Sequence, residues 1–225
     1  MALTKERNSN FELLRLVAMM LVMLVHANYL ALGSVTQSEL LASPWSATVR
    51  IICEQLCIVS VNLFILISGW FGIRPTLTKL ASLLFQILFV GILSVEVCRF
   101  VGAPVPSVQL GNLLYFGSSY WFVPSYLILF GLAPMLNTYA EHASKRQFAT
   151  LLISFYVLQT LFGWLSFDAG HYARGYSALS FIGLYLLAQY IRRYGERLLS
   201  LRWWHALLFY LLFTAIPATI SYFGL

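Results

Sequence analysis

The stretch FELLRLVAMMLVMLVHANYLAL, Phe11 to Leu32, decides the fold class. A helix needs about 20 mostly apolar residues to cross ~30 Å of hydrocarbon, and this run supplies them with only Glu12, Arg15 and His26 as ionisable interruptions. It is too long for the apolar core of a cleavable signal peptide and has no small-residue cleavage site, so it is expected to remain as a first membrane span. Outward from it, six further apolar runs follow at about 49–70, 80–101, 119–139, 148–167, 176–192 and 203–223. Seven spans with short connections predict an all-α fold, a polytopic transmembrane helix bundle.

Composition agrees. Of the 225 residues, 60% are apolar and 10% charged, against roughly 45–50% and about 25% in soluble domains. The net charge of +6 does not signal nucleic acid, because the cations stand in small groups between apolar runs and form no basic face. They are sorted by side. Lys5, Arg7, Arg15, Arg74, Lys79, Lys145, Arg146, Arg192, Arg193, Arg197 and Arg202 fall on one side, and Arg50, Arg99 and Arg174 on the other. That bias predicts a cytoplasmic N-terminus in a multi-pass protein with membrane lipid as its surroundings.

Cys53, Cys57 and Cys98 lie in or beside spans without metal or redox spacing and are read as packing thiols. His142, His171 and His205 stand in or near loops, make no metal set by spacing, and are read as interfacial or solvated. Turn chemistry gathers at Gly33-Ser34, Ser43-Pro44, Gly102 to Pro106 and Asp168-Ala169-Gly170. No internal repeat and no soluble appendage is evident, so any chemistry belongs to the bundle or its faces.

The first span carries the chemistry. Arg15 and His26 are eleven residues apart, which at 100° per residue returns to within ~20° of one face, three turns and about 16 Å along the axis. Glu12 and Asn8 share that face. An ionisable group facing lipid near mid-membrane costs at least ~2.5 kcal/mol, so the stripe is expected to face protein or a watery cavity. Two plainer readings stand beside this one: a snorkelling arginine for Arg15, and an interhelical hydrogen bond for His26.

Arg15, ten intervening residues and His26, preceded by an acidic residue, resemble the Arg-x10-His signature of the acyltransferase family 3 membrane proteins. Asn62 to Phe71, with Ser68-Gly69-Trp70-Phe71, is similar to the family's Phe-x-x-x-Ser-Gly-aromatic segment. Tyr120 to Tyr126 leading to Ala133-Pro134-Met135-Leu136-Asn137 resembles its aromatic fourth span, and Gly175 to Arg192 a later span of its polysaccharide-acylating branch. Glu12 stands where many members carry Asp. The resemblance covers nearly all of residues 1–225 as a single transmembrane domain. The family's domain has about ten spans against the seven read here, so the chain is expected to be incomplete at its C-terminus.

The resemblance implies a bacterial inner-membrane O-acyltransferase, moving a short acyl group, most often acetyl, from acetyl-CoA or another acyl-CoA to a hydroxyl of a carbohydrate or lipid-linked glycan acceptor. No permanently bound cofactor, metal or nucleic acid is implied. His26 is the candidate general base or transient acyl carrier, since a neutral imidazole takes up a proton near neutral pH. Arg15 is the candidate for donor phosphates, which a guanidinium fork binds well. Glu12 pairs with Arg15 or serves as a helix-start carboxylate. Arg74 is a second phosphate candidate, competing with a topological role. Ser68 and Gly69 let a backbone approach either a ligand or a neighbouring helix. Tyr120 and Trp121 offer either a platform for a sugar ring or an interfacial anchor. From a different class, the stripe also suits a transporter or flippase-like path, although no inverted repeat or matched broken span supports that. An inactive truncated family member is the third reading.

Overall fold

A computed structural model describes residues 9–103, 121–165, 172 and 175–224. Among them every regular element is helical. Helix α1 (Ser9–Val25) runs directly into a π-helical turn, His26–Leu30. Then come α2 (Gln37–Ala42), α3 (Pro44–Cys57), α4 (Ser60–Phe71) and α5 (Leu77–Phe100). The second half holds α6 (Phe122–His142), α7 (Lys145–Gly163), α8 (Ala178–Tyr194), the short α9 (Glu196–Leu199) and α10 (Trp203–Phe223).

Five helical paths among the described residues are long and apolar enough to cross a membrane: Ser9–Tyr29, Pro44–Phe71, Leu77–Phe100, Phe122–His142 and Trp203–Phe223. The other two sequence-predicted spans are the helices α7 and α8. Helix α8 has 17 residues, about 25 Å by helical rise, and α7 opens on Lys145-Arg146-Gln147 and carries Gln159, which dilutes its apolar character. Helix α5 has no buried residue, and Phe85, Phe89, Leu93 and Phe100 stand open on it. Water would penalise such a surface, whereas hydrocarbon accepts it.

Local chemistry sets the boundaries. Pro44 takes the first position of α3, where its missing N–H is no loss, so that helix begins five residues before the predicted 49. Its path loosens at Ile58-Val59, yet Ile58 N–H still reaches Glu54 O and Leu63 N–H reaches Val59 O. Gly72, at φ +74°, ends α4 in the left-handed region; Pro75 prevents resumption, and Thr76 accepts from Lys79 N–H to start α5. Ser144 and Gln147 form a reciprocal capping box at the head of α7.

The chain forms two compact units, Met1–Ile67 with Ile191–Leu225, and Ser68–Tyr190. In the first, α3 packs on both α1 and α10. Val35, Ala47 and Ile51 are buried there against Leu40, Ala218 and Tyr222, and the Tyr210 hydroxyl donates to the Leu56 carbonyl.

In the second unit α8 is the central post, burying Ser180, Phe181, Gly183, Tyr185, Leu186 and Ala188. Phe148 of α7 sits edge-on between Tyr139 of α6 and Tyr190 of α8, 5.5 and 5.4 Å between ring centres. At the end of α4, Gly69 lies so close to α8 that a Cβ there would stand 2.5 Å from Tyr185 O and 2.9 Å from the Ala188 methyl. Neither obstacle is a flexible side-chain tip, so the helices themselves would have to part. Gly69→Ala is therefore expected to destabilise by about 1–3 kcal/mol, lowering the melting midpoint of the purified protein in detergent by several degrees. An unchanged midpoint would remove this account of the contact.

Candidate active site

Helix α1 presents the ionisable stripe. Glu12 and Arg15 form an ion pair, Arg15 Nη1 donating to Glu12 Oε1 at 2.7 Å, with side chains 43% (Arg15) and 40% (Glu12) exposed. A pair that open adds little stability; it does fix where the guanidinium is held. Ala18, between them and His26, is fully buried, so the stripe runs along the edge of the packed face of the helix.

His26 opens the π turn with its side chain exposed. Its Nδ1 lies 2.7 Å from Val22 O. A carbonyl oxygen only accepts, so Nδ1 carries the proton, and in the neutral ring Nε2 keeps its lone pair. The residue is thereby set up as a proton acceptor facing outward from the helix.

The remaining candidates belong to the second unit. The Gly72 to Thr76 turn is clamped by two hydrogen bonds: Asn137 Nδ2 donates to Ile73 O at 2.9 Å, and Ile73 N–H donates to the Tyr185 hydroxyl at 2.8 Å. The Tyr185 hydroxyl and Gln189 Nε2 in turn donate to Asn137 Oδ1 at 2.7 and 2.9 Å. Arg74 projects from this fixed turn with its side chain exposed, while its carbonyl accepts from Lys79 Nζ at 2.8 Å. Gly69 has a packing partner in α8; Ser68, one residue earlier, offers its carbonyl to Gly72 N–H at 3.0 Å. Trp121 meets Tyr176 edge-on at 4.9 Å and leans on Phe181 at 5.9 Å. Tyr120, Asn8, His171, Arg174 and the Asp168 to Gly170 turn lie outside the described residues.

A family model described as an acyltransferase domain, that of acyltransferase family 3, matches residues 8–225. The chain belongs to that family. No curated protein and no solved structure matches it. This acyltransferase is thus a membrane enzyme by family and by its apolar helices.

Within the acyltransferase the structure brings Glu12, Arg15 and His26 onto one helix and sets Ser68, Gly69 and Arg74 along one helix end and turn. Among the described residues no group of three or more His, Cys, Asp or Glu could hold a metal ion. Of the two readings of His205, interfacial or solvated, the solvated one does not fit: it stands in the first turn of α10 with Nδ1 buried and its ring stacked on Trp204 at 3.5 Å. Sequence reasoning also passed over Arg50, Asn28, Asn137, Tyr185 and Gln189 as site-building groups. Polar residues inside apolar runs were the available signal for Asn28, Asn137 and Gln189.

Proposed function

We propose that this acyltransferase moves an acetyl group from acetyl-CoA to a hydroxyl of a cell-envelope or exported carbohydrate, from the bacterial inner membrane, with its N-terminus in the cytoplasm. The observation that carries the reading is the His26 ring, held through Nδ1 with Nε2 open, on the same helix face as Arg15. Nε2 takes the proton from the acceptor hydroxyl as its oxygen attacks the thioester carbonyl. The tetrahedral adduct collapses, the C–S bond breaks, and the proton passes from Nε2 to the departing CoA sulfur.

Arg15 lies about 16 Å along the axis from His26, the kind of separation that the pantetheine arm of CoA bridges between its phosphates and its thiol. A guanidinium at that distance suits the phosphates while the thioester rests at His26. The Glu12 carboxylate holds Arg15 in place until phosphate competes for it. In the second unit, Arg74 on its clamped turn is a further candidate for a phosphate and the Trp121 ring a candidate face for a sugar.

The test is transfer of radiolabel from acetyl-CoA to envelope carbohydrate in membranes carrying the protein. Incorporation that disappears with Arg15→Ala, or whose KM for acetyl-CoA rises at least tenfold with Arg15→Lys, supports the reading. Absence of label in the carbohydrate fraction, with proton-coupled solute movement in its place, would move the transporter reading ahead.

A further inference from the structure

Arg50 makes an unusual set of contacts for a cation on the minority side of the charge bias. Its side chain is only 13% exposed. Nε donates to Asn28 Oδ1 at 3.1 Å, Nη1 donates to Glu39 Oε1 at 2.5 Å, and Nη2 reaches Asn28 O at 3.4 Å and Gly33 O at 2.5 Å. Asn28 answers by donating from Nδ2 to Arg50 O at 3.1 Å. One guanidinium therefore grips the middle of the π turn through Asn28 and its exit through Gly33, with Glu39 of α2 neutralising the charge.

The π turn needs such a grip. A π-helical turn is rare because its hydrogen-bond ladder carries one extra residue, and here that ladder closes from Ala31 N–H back to His26 O itself. The turn's first residue is His26, so whatever fixes the turn also fixes the Cα–Cβ direction of the imidazole. Among the described residues no partner of the His26 side chain lies beyond its own helix; its hydrogen bond goes to Val22 O. Topology alone would need only a charge near the membrane face; it would not need a fork engaging two successive chain segments and a carboxylate, geometry that Lys cannot reproduce.

We infer that Arg50, acting through Asn28 and balanced by Glu39, is a positioning residue for His26. The inference rests on the reading of His26 as the proton acceptor. Arg50 and Asn28 touch no reacting atom; they hold the π turn so that Nε2 meets the acceptor hydroxyl, and a loss of that registration lowers the rate without weakening donor binding.

The experiment compares steady-state acetyl transfer from acetyl-CoA for the wild type, Arg50→Lys, Asn28→Ala and His26→Ala in membranes, normalised to the amount of full-length protein. Arg50→Lys keeps the charge and its attraction to Glu39 but loses the fork. Asn28→Ala removes only the two side-chain bonds of Asn28, and it decides the matter if Arg50→Lys fails to accumulate. The expected result is a 10- to 100-fold fall in kcat with KM for acetyl-CoA within about twofold of wild type. A kcat within twofold of wild type in the accumulated variants, or a raised KM at unchanged kcat, overturns the inference while leaving His26 as base. Full activity in His26→Ala overturns the underlying reading instead, so the two failures are distinct.

Discussion

Replacing His26 by alanine is expected to remove acyl transfer while leaving the protein in the membrane at its normal level. The size of the loss follows from the role: a positioned general base contributes about 10²- to 10⁴-fold, so the residual rate should sit at or below the background of control membranes. The unchanged level follows from the contacts, because the ring is exposed and its hydrogen bond goes only to Val22 of its own helix. His142 supplies the control. Its Nδ1 makes the same bond to the carbonyl four residues earlier, Thr138 O at 2.8 Å, but it closes α6 and has no arginine eleven residues before it. His142→Ala should therefore transfer acyl groups at the wild-type rate, and an equal loss in both variants would reduce the His26 geometry to an ordinary helix habit. Acid-labile label on the wild-type protein, absent in His26→Ala, would mark an acyl-imidazole and turn the base into a carrier.

What could be read from the sequence divides by the range of the interaction. The Arg15 to His26 stripe was legible because helical period alone puts the two side chains on one face, and the helix runs unbroken between them. The α7 start was legible in Ser144 and Gln147, and the α4 end in Gly72 and Pro75, since caps are chemistry between near neighbours. Ser43-Pro44 announced a turn but also the first residue of α3, which is why that span begins early. The π turn left no mark, because one extra residue in a hydrogen-bond ladder has no residue signature. Arg50 was legible only as a charge on the minority side; its partners Asn28 and Glu39, 22 and 11 residues away, come from other elements. The clamp on the Arg74 turn lay furthest out of reach, joining Ile73 to Tyr185 across 112 residues.

That clamp makes Asn137→Leu the substitution expected to cost the second unit most. One amide side chain accepts from both the Tyr185 hydroxyl and Gln189 Nε2 and donates to Ile73 O. Leucine has nearly the same bulk and offers no hydrogen bond, so the Ile73 carbonyl, the Tyr185 hydroxyl proton and the Gln189 amide all lose a partner at once. Tyr185 is fully buried, and water has no easy route to its hydroxyl. An unpaired buried group costs about 1–3 kcal/mol, so the total should reach at least ~3 kcal/mol, a fall in melting midpoint on the order of 10 °C for a chain of this size. Tyr185→Phe deprives Ile73 N–H of its acceptor but leaves Asn137 bonded to Ile73 O and Gln189, and it should fall by less than half as much. Asn137→Asp keeps acceptor oxygens for Tyr185 and Gln189 but turns the donor to Ile73 O into a second acceptor facing that carbonyl, so its midpoint should also fall below that of wild type. The order of the three midpoints, measured in one detergent, tests whether Asn137 is the hub: if Tyr185→Phe falls as far as Asn137→Leu, the stabilisation resides in the tyrosine's own contact with the turn. The turn that Asn137 holds also carries Arg74, and on the proposal that Arg74 takes donor phosphate a loosened clamp is expected to raise the KM for acetyl-CoA in Asn137→Asp at a temperature where that variant is still fully folded.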